Sequence, residues 1–359
     1  AEAWQFDGFF RVILPLGISF YTFQSMSYVV DVYRGDAKVV HSFIDYVCYV
    51  SMFPQLVAGP IIRFQEIADQ LEYRTHNWEK FSRGIAFFML GMGKKVLLAN
   101  PCGKIADVAF GSGELAVLDA WYGVVAYAFQ IYFDFAGYSD MAIGLGLMLG
   151  FVFAKNFDSP YKSKSITEFW RRWHLSLSTW LRDYLYIPLG GNRKGAIRTY
   201  VNLALVMLLG GLWHGASWNF LIWGAIHGGY LAFERALGKE SIYNRLPRNL
   251  QVFITFFIVL IAWVFFRADT LPDATRYLAS MFGLAGATDS SSIIGGLIYN
   301  PYYLINFAIS GIVIWSLPDV WNFTRNLSWT KIVWCFIVFL LALAALTTQG
   351  YNPFIYFIF

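Results

Sequence analysis

The sequence LLGGLWHGASWNF, residues 208–220, decides the fold, because it places a histidine in the middle of an apolar run. The run covers residues 200–237, which exceeds the roughly 20 residues that one helix needs to cross a membrane. It therefore holds two membrane spans or one broken helix. Small residues lie on both sides of His214, so that a second helix or a ligand can approach its backbone closely.

The whole chain has the composition of a membrane protein. Of its 359 residues, 57% are hydrophobic and 14% are charged, against roughly a quarter charged in soluble domains. Long apolar stretches recur, and they do not alternate as the strands of a β-barrel do. They occupy residues 11–30, 41–59, 81–99, 115–153, 200–237, 251–266, 293–317 and 331–348. We predict an all-α polytopic protein with roughly nine or ten spans, in which residues 115–153 also hold two spans or a broken helix.

A basic segment lies at residues 155–198, with nine lysines and arginines against three acids. By the positive-inside rule this segment faces the cytoplasm. The sequence SITE at residues 165–168 has the form of a capping box and predicts a helix that runs toward Pro188. At about 100° per residue this helix is amphipathic, so we expect it to lie on or dip into the membrane. Its apolar face contains Trp170, Trp173, His174, Leu177, Leu181 and Tyr184.

Shorter features complete the organisation. Residues 63–83 mix charges of both signs and indicate an interfacial connection, residues 274–282 indicate a second interfacial helix, and GATDSS at 286–291 is a small-residue loop. No repeat of about 20 to 50 residues is present, so we expect one membrane domain over residues 1–359. The chain starts at Ala1 without a basic n-region or a cleavage site, so we expect it to lack an N-terminal part. The three cysteines have no metal-ligand spacing, and no metal site is predicted.

Ionisable side chains inside apolar stretches are costly, so each is a hypothesis for a functional site. His214, flanked by Trp213 and Trp218, is either functional or a neutral histidine hydrogen-bonded between helices. His174 is either buried against the bundle or directed into a cavity. His227 follows His214 by thirteen residues, about 220° around a continuous helix, so the two share a site only across a helix break. We favour a structural role for His227.

Two acids also fall in an apolar stretch, FDFAGYSDMAIG at residues 133–144. Asp134 and Asp140 could relay protons, bind a cation or bond to neighbouring backbone, and the last is the commonest fate of isolated buried acids. We expect Lys94 and Lys95, near the end of their span, to snorkel toward the membrane surface.

Other chemistry is not indicated. The chain has no phosphate-binding GxxxxGK[ST] loop, no HExxH motif and no GxSxG elbow. Cytoplasmic arginines interleaved with aromatic residues are expected of any membrane protein, so a nucleic-acid interface is not predicted.

Six stretches resemble the membrane-bound O-acyltransferases, in the branch that contains bacterial alginate O-acetylation membrane proteins. They are LPLGISFYTFQSMSYVVDVYRG at 14–35, FPQLVAGPIIRF at 53–64, FDFAGYSDMAIG at 133–144, NFDSPYKSKSITEFWRRWHLSLSTWLRDYLYIPLGGNRKG at 156–195, GLWHGASWNFLIWGAIHG at 211–228, and the ending PFIYFIF. They occur in order over nearly the whole chain, and the fourth and fifth are highly specific.

The resemblance implies a ring of transmembrane helices around a central funnel or tunnel, preceded in family members by further helices. It implies that His214 is the catalytic histidine and that His174 is a second histidine tied to activity. Imidazole suits the removal of a hydroxyl proton during acyl transfer from a thioester, since its ordinary pKa lies near 6.5. Trp213, Trp218, Asp134 and Asp140 are then candidates for tunnel-lining or structural residues.

The resemblance also implies the reaction and its setting. An acyl group, most simply acetyl, moves from a cytoplasmic thioester such as acetyl-CoA across the bacterial inner membrane toward an extracytoplasmic polysaccharide. Lys164, Arg171 and Arg172 are candidates for attracting the anionic donor. No bound cofactor is expected, and periplasmic acetyltransferases are the expected protein partners. Two alternatives stay open, a carrier or channel without acyl chemistry and an acyltransferase that modifies lipids.

Overall fold

The computed structural model describes residues 17–57, 59–238, 242–286, 296–348, 350–351 and 353, and all regular secondary structure within them is helical. Three predicted features lie wholly or largely outside these ranges. They are residues 11–16 of the first apolar stretch, most of the loop at 286–291, and all of the C-terminal motif except Pro353.

The helices follow one another closely along the chain. The first group is α1 (Ile18–Arg34), α2 (Phe43–Ser51), α3 (Phe64–Glu72), α4 (Trp78–Gly93), a π-helical turn (Lys94–Ala99), α5 (Asn100–Phe110) and α6 (Val117–Met148). The second group is α7 (Ile166–Trp170), α8 (Leu175–Leu181), a second π-helical turn (Arg182–Tyr186), α9 (Ala196–His214) and α10 (Trp218–Leu237). The last is α11 (Ile242–Arg245), α12 (Arg248–Arg267), α13 (Leu271–Met281), α14 (Pro301–Ser316), α15 (Val320–Phe323) and α16 (Trp329–Thr348).

Four helices in the described ranges are long and apolar enough to cross a membrane, namely Trp78–Phe110, Ala196–His214, Arg248–Arg267 and Trp329–Thr348. The predicted division of residues 200–237 into two helices is confirmed, with the break directly after His214. The prediction for residues 115–153 is wrong. They hold the single 32-residue helix α6, in which no proline interrupts the backbone hydrogen bonds. The stretch at 41–59 forms only the nine-residue helix α2, which ends three residues before Pro54.

Helices α4 and α6 pack closely because glycines face each other across their contact. A Cβ atom on Gly84 would lie 2.6 Å from the Gly144 carbonyl oxygen, and one on Gly91 would lie 2.6 Å from the Gly137 carbonyl oxygen. The spacing of seven residues on both helices repeats this contact after two turns. Membrane helices associate through such small residues, because lipid gives them no hydrophobic reason to pack together.

The same interface holds two buried ion pairs. The Lys94 ammonium lies 2.6 Å from the Asp140 carboxylate, and the Lys95 ammonium lies 2.6 Å from the Asp134 carboxylate. The prediction that both lysines snorkel to the membrane surface is therefore wrong. A charge in hydrocarbon is costly, and a partner on the neighbouring helix offsets that cost better than a strained reach to the headgroups.

The prediction of one surface helix from residue 165 toward Pro188 is also wrong. The start is right, since the Ser165 hydroxyl accepts the Glu168 N–H at 3.0 Å. The helix breaks after five residues, however, and His174 adopts a left-handed conformation (φ 42°, ψ 57°). Trp173 and Leu177 from the predicted apolar face are buried in the main apolar core with α6 and α12. A straight helix at the membrane surface could not bury these side chains in the core. The break between α7 and α8 therefore allows the segment to be buried.

We expect Asp140→Asn to destabilise the protein, because it leaves the Lys94 ammonium without its charged partner. The loss in the free energy of unfolding should be about 3 kcal/mol or more, measured as a lower midpoint of thermal unfolding in detergent. The double variant Lys94→Met with Asp140→Leu should recover much of this loss, since neither charge remains. Arg276→Gln is the control, because its pair with Asp273 is exposed and worth at most about 1 kcal/mol. A double variant no more stable than Asp140→Asn would contradict the assignment.

Candidate active site

His214 lies at the carboxyl end of α9, where the chain turns into α10. Four aromatic rings surround its imidazole, with centroid distances of 4.8 Å to Trp213, 6.2 Å to Phe220, 5.3 Å to Trp223 and 5.0 Å to Phe266. The turn is fixed by Ser217, whose hydroxyl accepts the Asn219 N–H and so caps α10. The ring is half-buried.

His174 lies in the break between α7 and α8 and is 1% exposed. Its ring meets Phe135 edge-on, with centroids 4.6 Å apart. Nδ1 lies 3.3 Å from the Asn156 side-chain oxygen and 3.3 Å from the Ser176 hydroxyl oxygen. Nε2 has no hydrogen-bond partner in the part of the chain that the structure describes. Phe135, which contacts His174, and Trp223 and Phe266, which contact His214, belong to the same buried apolar core.

Helix α1 joins the two histidine-bearing helices. The Phe23 ring stacks on Trp180 of α8 with centroids 4.1 Å apart, and on Trp213 of α9 with centroids 5.4 Å apart. The Trp180 indole N–H also donates to the Phe23 carbonyl oxygen at 3.1 Å. Phe23 therefore links Trp180, six positions after His174, to Trp213, the residue directly before His214.

Glu234 of α10 makes a second link between the histidine segments. Its carboxylate accepts the N–H groups of Ile166 and Thr167 at 2.6 and 2.8 Å, and the Thr167 hydroxyl at 2.6 Å. These are the first N–H groups of α7, which have no partner inside their own helix. A carboxylate at a helix N-terminus is also favoured electrostatically. The segment that leads to His174 is thus anchored on the helix that follows His214.

His227 contacts Trp223, one of the four rings that surround His214. Its ring is 4.9 Å from that of Trp223 and 5.3 Å from that of Trp170. Both of its nitrogens, and the indole nitrogens of Trp170 and Trp223, are buried without a hydrogen-bond partner among the described residues. The break after His214 lets both histidines contact Trp223. The sequence predicted that only such a break could bring the two together, and it favoured a structural role for His227. No observation here assigns it a reaction.

The candidate donor-binding residues separate into two kinds. Lys164 and Arg171 are exposed, and within the described ranges Arg171 forms no ion pair. Arg172 lies 2.7 Å from the Glu168 carboxylate and donates to the Asp158 carbonyl oxygen at 3.1 Å. Burial alone would raise the pKa of Glu168, but hydrogen bonds from the Lys164 N–H and the Arg172 guanidinium lower it below its ordinary value. Arg172 is therefore engaged in holding the segment together.

The candidate tunnel residues do not meet at one place. Trp213 packs beside His214, whereas Trp218 is 71% exposed, so Trp218 does not line an interior tunnel. Trp218 is at the first turn of α10 and is not among the buried residues of that helix, which include Asn219, Trp223 and His227. Asp134 and Asp140 belong to the ion pairs between the π-helical turn and α6.

Four positioning side chains escaped sequence reasoning, namely Phe23, Asn156, Ser176 and Glu234. Each acts on a partner distant in the chain, or on a backbone break that no local pattern reveals. The sequence NFDSPYKSKS before α7 was noted only as part of a resemblance.

Comparisons with known proteins identify the family to which the chain belongs. A sequence profile of the membrane-bound O-acyltransferase family matches residues 36–269. The chain belongs to this family.

Three relatives illustrate the similarity. A Pseudomonas putida protein named as a probable alginate O-acetylase, AlgI, is 47% identical, over 97% of this chain and 76% of that protein. The Pseudomonas aeruginosa protein of the same name is 56% identical, over 76% of this chain and 52% of that protein. A Helicobacter pylori protein named as a peptidoglycan O-acetyltransferase is 40% identical, over 77% of this chain and 58% of that protein. The alignments thus cover about half the length of the second relative and three quarters of the first.

We expect Phe23→Ala to lower turnover although it removes neither histidine. The variant loses two ring contacts, each worth about 0.5 to 1.5 kcal/mol, and with them the link between α8 and α9. Small displacements of reacting groups cost large rate factors, so turnover per folded molecule should fall about tenfold or more. Met26→Ala on the same helix is the control, since Met26 is 45% exposed. Equal turnover in the two variants would rule out this link.

Proposed function

We propose that this protein transfers an acyl group, in the simplest case acetyl, from a cytoplasmic thioester to an acceptor outside the membrane, in the O-acetylation of a polysaccharide such as alginate. The observation that carries the proposal is that two histidines from separate helix ends both contact one buried aromatic core. Membership of the family and the names of the relatives support the same reaction.

The chemistry needs a proton acceptor near the acyl carbon. As the acceptor oxygen attacks the thioester carbonyl carbon, its proton passes to His214, the carbon–sulfur bond breaks, and the proton then neutralises the thiolate. A neutral imidazole can accept the hydroxyl proton, and the imidazolium that results can donate it to the thiolate. The surrounding rings of Trp223 and Phe266 exclude water, which would otherwise hydrolyse the thioester.

The donor is proposed to approach from the cytoplasmic side, where the basic segment at residues 155–198 lies by the positive-inside rule. In this arrangement the exposed Arg171 and Lys164 attract the phosphates of acetyl-CoA. The helices form the ring around a funnel that the family implies, and periplasmic acetyltransferases complete the transfer to the polysaccharide.

The alternative of a carrier or channel has less support. It needs acids that line a path, but Asp134 and Asp140 each face a lysine at 2.6 Å. The alternative of lipid acylation predicts a different product, acylated lipid with the polysaccharide unmodified.

In a bacterial strain that lacks this protein, we expect the wild type to restore acetate on the exported polysaccharide and His214→Ala to restore none. The reason is that alanine cannot accept the hydroxyl proton. O-acetyl content of the purified polysaccharide is the measurement, and immunoblots of membrane fractions show that both proteins are present. The variant Cys48→Ala, at an exposed site, should behave as the wild type. Full acetylation with His214→Ala would reject the proposal, and acetylated lipid with unmodified polysaccharide would favour the lipid alternative.

Arg171→Gln and Arg172→Gln should have different effects, although the two residues are adjacent. We expect Arg171→Gln to raise KM for acetyl-CoA about two- to fivefold with little change in kcat, the range for an exposed charge. Arg172→Gln should instead lower the yield of folded protein, because it breaks the contacts to Glu168 and Asp158. The effect of Arg171→Gln should shrink at high salt. A KM unchanged in Arg171→Gln would remove it from the donor site.

A further inference from the structure

A backbone N–H group, which can only donate a hydrogen bond, fixes the orientation of the Asn156 side chain. Its oxygen Oδ1 accepts the backbone N–H of Ser176 at 3.2 Å. A rotated amide would place an NH₂ group against that N–H, so the position of the oxygen is fixed by the hydrogen bond. Asn156 is 1% exposed, and its carbonyl oxygen also accepts the Leu175 N–H at 2.9 Å.

The Ser176 hydroxyl has one proton, and its geometry assigns that proton. The hydroxyl accepts the Ile61 N–H at 3.0 Å and lies 2.9 Å from Asn156 Oδ1. Since Oδ1 is an acceptor, the hydroxyl donates to it and keeps a lone pair toward the His174 ring. Ser176 is therefore an acceptor for His174.

His174 Nδ1 thus faces two acceptors, the Asn156 oxygen and the Ser176 oxygen, each at 3.3 Å. An unprotonated Nδ1 would be repelled by both, so the proton resides on Nδ1. In a neutral imidazole the other nitrogen then carries a lone pair. That nitrogen, Nε2, is buried and bonds to no described residue, which leaves its lone pair open to a reactant.

The backbone at His174 is strained. Among the described residues only His174 and Ser159 are non-glycine residues with a positive φ, at 42° and 46°, and both lie in the segment around Asn156. Such conformations are energetically unfavourable and persist where the surroundings impose them. The two hydrogen bonds from residues 175 and 176 to Asn156 impose this one.

We infer that Asn156 is a positioning residue, which together with Ser176 holds His174 as the Nδ1–H tautomer, so that His174 acts toward the reactants as a hydrogen-bond acceptor through Nε2. The inference rests on the proposed acyl transfer and deepens it. In this tautomer Nε2 of the neutral ring has no proton. It therefore cannot donate a hydrogen bond to the oxyanion that forms during acyl transfer. The one hydroxyl proton of the acceptor passes to His214, so Nε2 accepts a hydrogen bond from another N–H or O–H group of the reactants.

The tautomer is measurable without any assay of activity. ¹⁵N spectra of the full-length protein, labelled at histidine and held in lipid bilayers, distinguish protonated from unprotonated ring nitrogens, and comparison with His174→Gln identifies the signals. We expect a protonated Nδ1 and an unprotonated Nε2 for His174. The opposite tautomer would overturn the inference while leaving the proposed function intact.

Two substitutions test the positioning role in the reaction. Asn156→Ala removes the acceptor at Nδ1, and we expect kcat per folded molecule to fall about a hundredfold, with KM for acetyl-CoA little changed. Asn156→Asp keeps an acceptor but adds charge, which stabilises the protonated imidazolium. Because protonation destroys the Nε2 lone pair, the acidic limb of the pH profile should move upward by about one unit or more.

The matched control is Asn202→Ala. Asn202 is equally buried, and its amide donates to the carbonyl oxygens of Leu189 and Gly191, away from His174. This variant should lower the folded yield but keep the wild-type pH profile and kcat per folded molecule. If Asn156→Ala behaves in the same way, or if Asn156→Asp leaves the pH profile unmoved, Asn156 is only structural. Transfer that persists in His214→Ala would reject the proposed function instead.

Discussion

A charged or polar group inside a bilayer needs a partner within the protein, because hydrocarbon cannot solvate it. The ion pairs of Lys94 with Asp140 and of Lys95 with Asp134 meet this requirement between the π-helical turn and α6. Beside these ion pairs, the glycines of α4 and α6 allow the two backbones to approach closely. Helices α5, α12, α13 and α14 also pack against the long helix α6.

Both histidines of the candidate site lie where a helix is interrupted. His214 at the end of α9 faces Trp223 of α10 and Phe266 of α12, and His174 between α7 and α8 faces Phe135 of α6. The breaks therefore bring two imidazoles from distant parts of the chain against one buried apolar core. They are kept in place by Phe23 from one side and by Glu234 from another.

Membership of the membrane-bound O-acyltransferases gives this arrangement a chemical meaning. Acyl transfer from a thioester needs a proton acceptor, a dry environment and a defined ring orientation. Aromatic side chains around His214 supply the second requirement, and Asn156 with Ser176 supplies the third for His174. The adjacent arginines differ in their contacts, since Arg171 is exposed and Arg172 is engaged with Glu168.

The sequence by itself determined the helical class, the cap at Ser165, the two helices in residues 200–237 and the two candidate histidines. These depend on composition and on contacts within about four residues, which a linear pattern records. It did not determine the continuous course of α6, the partners of Lys94 and Lys95, or the break at His174. Only the tertiary structure decided these, because each depends on a group far away in the chain, such as Asp140 for Lys94 or Asn156 for His174. Local propensity cannot encode a partner that only the packing of other helices brings near.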